Sequence, residues 1–195
     1  MTAIVLNTAA ASQPVSLTDA KLHLRVTHTD DDTYITTLIT HVTDVAEKAM
    51  NRALITSTWD YYLDDFPQKS PYLIELPKGY VSEVTSVKYI DTTNDYVTLS
   101  SSYYEADILS EPARIVLASG YSYPVVNKYL NAVKITFKAG YANAAAVPKS
   151  IIQVMYLHLS LLYDIRSPIL TGTTIAEIPY SLQMLYNLNK VWTFY

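Results

Sequence analysis

The chain has 195 residues, no cysteine and a formal net charge of -4 at pH 7. This length suits one domain, or one domain with a large insertion, and it is sufficient for a hydrophobic core without covalent cross-links. The lack of cysteine excludes disulfides and thiolate zinc sites, and the acidic balance argues against a broad nucleic-acid-binding surface.

The first residues lack the basic region of a signal peptide. The first predicted elements are two amphipathic helices, Ser16–Val26 and Asp30–Asn51. Ser16 and Asp19 resemble a capping box with Asp in the Glu or Gln place. In the second helix the apolar residues recur at helical spacing on one face: Ile35, Leu38, Ile39, Val42, Val45, Ala46 and Ala49.

From about Thr56 to Lys138 the pattern changes to the alternation that is typical of strands. The predicted short strands are Thr56–Leu63, Tyr72–Leu76, Val81–Ile90, Tyr96–Leu99, Tyr103–Ile108, Arg114–Leu117 and Val133–Phe137. Because hairpin-length segments connect them, we predict an antiparallel sheet or a small barrel.

A third helix is predicted to begin at Pro148 and to be apolar on most of its circumference, as a central core helix is. We expect Ile151, Met155 and Leu162 to pack against the apolar face of the second helix. Ser167–Pro179 is predicted to be a tether, followed by a short helix that should order only against a surface. No apolar run approaches about 20 residues, so we expect no membrane-spanning segment.

These elements predict an α+β protein in which 1–195 form one domain. Its parts are a helical core from 16–54 and 148–166, a β-rich insertion over 55–140, and a C-terminal tether and short helix over 167–195. Helices on both sides of an insertion bury their apolar faces only if the two ends of the chain fold together.

The polar residues form no recognisable catalytic or metal-binding pattern. His28 with Asp30–Asp32 lacks the Gly and the closing Glu of a calcium loop, and Asp60, Asp64 and Asp65 are interpreted as solvated strand-edge carboxylates. The four histidines lack metal-ligand spacing, and His158 is interpreted as a hydrogen-bonded core residue. No nucleophile, phosphate or dinucleotide motif is present. We therefore expect no enzyme activity, cofactor or metal.

The aromatic residues give the strongest binding signal. The 18 tyrosines favour a half-exposed sheet or a large area of subunit contact. Large apolar side chains at the C-terminal end either fold back on the core or insert into a partner. We assign partner contacts to Leu182, Leu185, Tyr186, Trp192, Phe194 and Tyr195.

A series of short motifs runs in order along nearly the whole chain. The series is LTDAKLHLRV at 17–26, an acidic turn at 30–32, NRAL at 51–54, STWDYYLDDFP at 57–67, IELP at 74–77, VTSVKYID at 84–91, AGY at 139–141, VP at 147–148 and YDIR at 163–166. No single motif is specific, but their order resembles that of the bacteriophage head–tail connector (adaptor) family.

The resemblance implies a structural protein of the virion neck, assembled in the host cytoplasm as a ring that extends the DNA channel. It implies the portal and the next tail component (a stopper, a tail tube or a nozzle) as partners, a dodecameric ring, and passage of DNA without specific binding. The portal then becomes the partner that we expect for the C-terminal contact residues. A glycan-binding module that uses the Tyr-rich sheet, or more remotely a hydrolase that uses His23 or His158, stays open as an alternative.

Overall fold

The computed structural model describes residues 2–127, 129–165 and 180–192. The helices are α1 (Leu17–Leu24), α2 (Asp32–Met50), α3 (Lys149–Asp164) and α4 (Tyr180–Leu188). The strands are β1 (Thr2–Thr8), β2 (Ser57–Leu63), β3 (Leu73–Glu75), β4 (Val81–Ile90), β5 (Tyr96–Thr98), β6 (Tyr104–Asp107), β7 (Arg114–Leu117) and β8 (Val133–Ala139). The predicted α+β class is confirmed, and the predicted tether Ser167–Pro179 lies outside the described residues.

The four helices share one hydrophobic core. Ser16 caps α1 as expected, since its hydroxyl accepts a hydrogen bond from the Asp19 amide at 3.1 Å. Ile151 and Met155 of α3 are buried in the same cluster as the apolar face of α2, as predicted, whereas Leu162 is only partly buried against that cluster. Pro148 is the N-cap of α3, so the helix begins one residue later than predicted.

The insertion forms two antiparallel sheets around a second core. The large sheet has the order β1-β2-β8-β4-β5 and the small one the order β3-β7-β6. Ile74 and Ile115 of the small sheet and Ile135 and Phe137 of the large sheet belong to one buried cluster. Of the two predicted alternatives, sheet or barrel, the structure has open sheets with free edges.

Strand β1 was not predicted, and it forms an edge of the large sheet. It pairs antiparallel with β2, from Thr2 opposite Leu63 to Thr8 opposite Thr58. Its run of Ala3–Leu6 was the available signal, but a strand exposed along all of its length gives no alternating pattern.

A buried carboxylate helps to hold β1 to the sheet. The Asp60 carboxylate accepts hydrogen bonds from Asn7 Nδ2 at 2.8 Å and Thr136 Oγ1 at 2.7 Å, and it pairs with Lys134 Nζ at 2.9 Å. Burial alone would raise the pKa of Asp60, but these bonds hold it below its usual value. The expectation that Asp60 is solvated at a strand edge was therefore wrong, because three partners compensate its burial.

The helical core and the β-rich part meet where the chain crosses between them. Short backbone bridges join Arg52 to Gly79 and Ile55 to Tyr141. Gly140, at φ +108°, lies so close that an added Cβ would come within 2.5 Å of the Ile55 carbonyl. Only glycine fits this crossing.

None of the helices in the described residues is long and apolar enough to cross a membrane.

Replacement of Leu159 by alanine should destabilise the folded protein by about 2–5 kcal/mol, since the side chain is 2% exposed and the change leaves a cavity. Leu157→Ala on the same helix, where the side chain is 45% exposed, is the matched control and should cost about 1 kcal/mol or less. Chemical denaturation gives both values. Equal losses in the two variants would contradict the described orientation of α3.

Candidate partner-binding site at the C-terminal segment

Helix α4 lies on the helical core of its own chain. Leu182 and Tyr186 are 4% and 3% exposed and belong to the helical core cluster, and Leu185 is partly buried against it. The surface that orders this short helix is thus supplied by α2 and α3. A partner contact by Leu182 or Tyr186 would require α4 to leave the core, whereas Leu185 lies at its margin.

A buried hydrogen bond fixes α4. His158, which is 2% exposed, has its Nδ1 atom 2.9 Å from the Tyr186 hydroxyl, so the interpretation of His158 as a hydrogen-bonded core residue is confirmed. Burial lowers the pKa of His158, with a smaller contribution from His41, and burial raises the pKa of Tyr186. Both groups are therefore neutral near pH 7, as a partner pair in an apolar layer requires.

The residues after α4 are bound to the end of α2. The Val191 amide donates to the Met50 carbonyl at 2.9 Å, and Arg52 Nε donates to the Asn189 carbonyl at 3.4 Å. Val191 is 5% exposed and lies so close to Gly79 that any Cβ there would collide with its methyl group. The chain is thereby held in one direction as it reaches Trp192.

Arg52 joins this segment to the β-rich part. Its Nη1 and Nη2 atoms donate to the two carboxylate oxygens of Glu111 at 2.8 and 2.7 Å, and Nη1 also donates to the Tyr141 hydroxyl at 3.3 Å. Glu111 accepts a further bond from the Tyr80 amide at 2.9 Å. A bidentate pair of this kind fixes direction as well as distance. Its roles were not predicted, because partners 59 and 137 positions away leave no local pattern.

Trp192, the last residue described in this segment, has an exposed aromatic side chain. Its side chain is 61% exposed, and Lys190 Nζ lies 4.8 Å from the ring centre, within the range of a cation–π contact. Large exposed aromatic residues on a fixed backbone are typical anchors of protein interfaces. Of the six predicted contact residues, Trp192 has the geometry of a docking group, and Phe194 and Tyr195 lie outside the described residues.

A second exposed apolar group lies at the tip between β6 and β7. Leu109 is 96% exposed, and its amide donates to Asp107 Oδ1 at 3.1 Å. Hydrogen bonds from the Ser110 hydroxyl and then from Arg114 lower the pKa of Asp107 to about 2, so the carboxylate stays ionised and the turn stays closed. Leu109 was not singled out from the sequence, since one leucine in a turn gives no signal.

The remaining polar candidates have structural partners. Asp31 accepts a bond from the Tyr163 hydroxyl at 2.5 Å, Asp32 pairs with Lys21 at 2.5 Å, and His23 stacks on Tyr156. Within the described ranges no three His, Asp or Glu side chains gather where they could hold a metal ion.

A buried lysine, Lys78, and a half-buried glutamate, Glu47, lie at the junction of the two cores. Burial lowers the pKa of Lys78, and the charge of Glu47 partly opposes this shift. Burial raises the pKa of Glu47, and the hydrogen bond from the Leu54 amide and the charge of Lys78 partly oppose it. Lys78 Nζ lies 4.5 Å from the centre of the Trp59 ring, while Glu47 accepts from the Leu54 amide at 2.7 Å. These contacts satisfy both groups within the fold.

A family model described as phage gp6-like head-tail connector protein matches residues 14–112, about half of the chain. No curated protein matches at a significant level.

Chains in solved structures of gene transfer agent (GTA) particles have a fold similar to that of this protein. A chain in the neck of an empty GTA particle, with C6 symmetry, superposes with a TM-score of 0.78 at 18% identity, covering 99% of this chain and 97% of that one. A chain in the virion of the native particle gives 0.77 at 19%, covering 98% and 97%. A chain in the native neck with C12 symmetry gives 0.69 at 18%, again covering 98% and 97%.

The His158–Tyr186 pair predicts a pH-dependent loss of stability. Because burial lowers the pKa of His158 in the folded state, the unfolded chain takes up the proton first as the pH falls below about 6.5. The free energy of unfolding should then decrease by up to about 1.4 kcal/mol per pH unit. In His158→Gln, which can still bond to Tyr186, denaturation between about pH 7.5 and 5.5 should show a smaller slope. An equal slope would mean that His158 is not the titrating group.

The contact between Gly79 and Val191 predicts the effect of one added methyl group. In Gly79→Ala the new Cβ displaces Val191, and we expect the opening free energy of the Val191 amide to fall by about 1 kcal/mol, as for a lost hydrogen bond. Hydrogen exchange measures this value. The double variant Gly79→Ala/Val191→Ala should regain protection because the smaller side chain vacates the space. Unchanged protection in Gly79→Ala would contradict the described docking.

Proposed function

Because the chain belongs to the phage gp6-like head–tail connector family, we propose that it forms a ring between the portal and the tail that extends the DNA channel. In this role it is a component of the virion neck, assembles in the host cytoplasm and carries out no catalysis. The observation that carries the proposal is the match of the family model to residues 14–112. The family assignment favours this role over a glycan-binding module or a hydrolase.

The shape of the surface supports a ring. A closed ring of identical subunits needs two different complementary faces on each copy. The described surface offers free sheet edges at β1 and β5 and exposed apolar side chains at Leu22, Leu109 and Leu130. The GTA necks that share this fold were solved with C6 and C12 symmetry, and we propose a dodecamer.

The portal is the partner that we propose for the C-terminal end. Trp192, with Phe194 and Tyr195 after it, would insert into the portal, and Leu185 would border the contact. Leu182 and Tyr186, being buried in the core, would hold α4 in place beneath it. The opposite side of the ring would receive the next tail component, a stopper, a tail tube or a nozzle.

The distribution of charge suits a channel that DNA crosses without binding. Affinity for DNA comes mainly from basic side chains that are free to contact phosphates. In this protein Lys21, Lys48, Lys134 and Lys138 each pair with a carboxylate at 2.5–2.9 Å. Pairing neutralises these cations locally, which weakens any attraction to the phosphate backbone.

The arrangement of the chain supports a single connector domain, 1–195. The helical core of 16–54 and 148–166 would hold the C-terminal segment, and the β-rich part of 55–140 would form much of the surface between subunits. The tether and short helix of 167–195 would connect the core to the portal contact.

Trp192→Ala should weaken attachment to purified portal rings by about 2 kcal/mol or more, roughly thirty-fold, because an anchor side chain is removed. Met184→Ala, which truncates a 55% exposed side chain of α4, is the control and should bind as the wild type does. Binding can be followed by co-sedimentation, with thermal midpoints compared to exclude misfolding. Wild-type occupancy by the Trp192 variant would remove the C-terminal end from the proposed contact.

A further inference from the structure

A cleft opens on one side of the β-rich part. It has a volume of about 370 Å³ and lies between β2 and β3, where Tyr61, Leu63, Phe66, Leu73 and Glu75 line it. Strands β1 and β3 are edge strands of their respective sheets. The cleft therefore opens at the side of the molecule where both sheets end.

Glu75 lines this cleft, and one oxygen of its carboxylate lacks a hydrogen-bond partner. Its Oε2 atom is, within the described ranges, the one buried side-chain oxygen or nitrogen without a hydrogen-bond partner. Arg114 lies opposite Glu75 in the β3–β7 pair, but its Nε donates to Asp107 at 2.9 Å. A buried polar oxygen without a partner is costly, so a donor that reached the Glu75 carboxylate through the cleft would stabilise it.

The rim of the cleft is apolar and uncharged on one side. Ile4 pairs with Tyr61 across β1 and β2, so both side chains lie on the same face of the sheet. Ile4 is 37% exposed, and residues 2–18 contain no charged side chain. Asp65 is a second carboxylate at the rim. The cleft thus fits a basic side chain that has an apolar neighbour.

The chain itself presents such a group at the end of α1. Of the three arginines that the described ranges contain, Arg52 and Arg114 pair with Glu111 and Asp107, while Arg25 has no acidic partner there. Arg25 is the C-cap of α1 at φ 57°, fixed by the hydrogen bond that its backbone amide donates to the Leu22 carbonyl. Leu22 is 79% exposed. The C-terminal end of α1 therefore carries an exposed leucine and an unpaired guanidinium three residues apart.

We propose that the Glu75 cleft of one copy receives Leu22 and Arg25 of the next copy. The leucine would cover Leu63 and Leu73, and the guanidinium would donate to the Glu75 carboxylate, with Asp65 as a second acceptor. The two faces are different patches of the same chain, so the contact is head-to-tail and closes into a ring when the rotation between copies allows it. This inference rests on the proposed ring and identifies the residues of its subunit interface.

The lack of native cysteine allows a direct test by cross-linking. Thr27→Cys, two residues from Arg25, and Gln68→Cys, next to the cleft residue Pro67, are at exposed positions and leave both charged partners in place. The two proteins, mixed in equal amounts and treated with a bis-maleimide, should give a covalent dimer that neither variant forms alone. The double variant should give a ladder of multimers. Lys149→Cys, at an exposed position on α3, mixed with Gln68→Cys is the matched control and should stay monomeric. No dimer in the Thr27–Gln68 mixture above the level of that control would overturn the proposal.

Charge exchange tests the same contact without a reagent. Arg25→Glu and Glu75→Gln should each reduce the fraction of the protein that assembles into rings on portals by about ten-fold or more, as when one partner of a buried pair is removed. Arg25→Glu combined with Glu75→Arg should restore assembly. If Glu75→Gln folds and assembles as the wild type does, the carboxylate is not at the interface and the proposal is wrong.

These outcomes separate the inference from the proposed function. Portal rings decorated by wild-type protein together with no cross-link at these positions would retain the connector function and reject this interface. A specific cross-link between positions 27 and 68 in a protein that never joins a portal would support the subunit contact and contradict the connector function.

Discussion

Arg52 connects segments that are far apart in the chain, and the arrangement of the molecule depends on it. One guanidinium at the end of α2 binds Glu111 in the loop between β6 and β7, the Asn189 carbonyl after α4, and the Tyr141 hydroxyl after β8. The planar guanidinium carries several N–H donors in fixed directions and can bind these three acceptors at once, which the single ammonium group of a lysine cannot do in the same geometry. Through it the helical core, the β-rich part and the C-terminal segment keep one relative position, so surfaces on different segments can act as one interface.

The sequence predicted the elements whose burial is periodic. The apolar face of α2 and the strands on each side of the second core alternate as buried helices and strands must, and the ordered motifs from LTDAKLHLRV onward led to the connector family. The partners of Arg52 and the place of Tyr186 beside His158 could not be predicted, because they depend on contacts across more than 25 positions of sequence. β1 escaped prediction for the opposite reason, since a fully exposed edge strand shows no periodicity.

The exposed apolar groups are better explained by assembly than by the single chain. Edge strands are normally protected against pairing with other molecules by charged side chains, prolines or a covering loop. Strand β1 has no charged residue and no proline along Thr2–Thr8, and it is exposed along its whole length. Leu22 in the last turn of α1 and Leu109 in the turn between β6 and β7 likewise have most of their surface in water. In an assembled subunit such groups are buried against neighbouring subunits, whereas in a free monomer they stay exposed and favour aggregation.

The central claim is that the protein is a fixed structural part of the neck. Quantitative mass spectrometry of purified particles, referenced to the portal protein, measures this most directly. The account predicts a constant ratio of this protein to the portal subunit, as a ring of defined symmetry requires, that persists after washing in high salt. A variable ratio, or loss of the protein from intact particles, would contradict it.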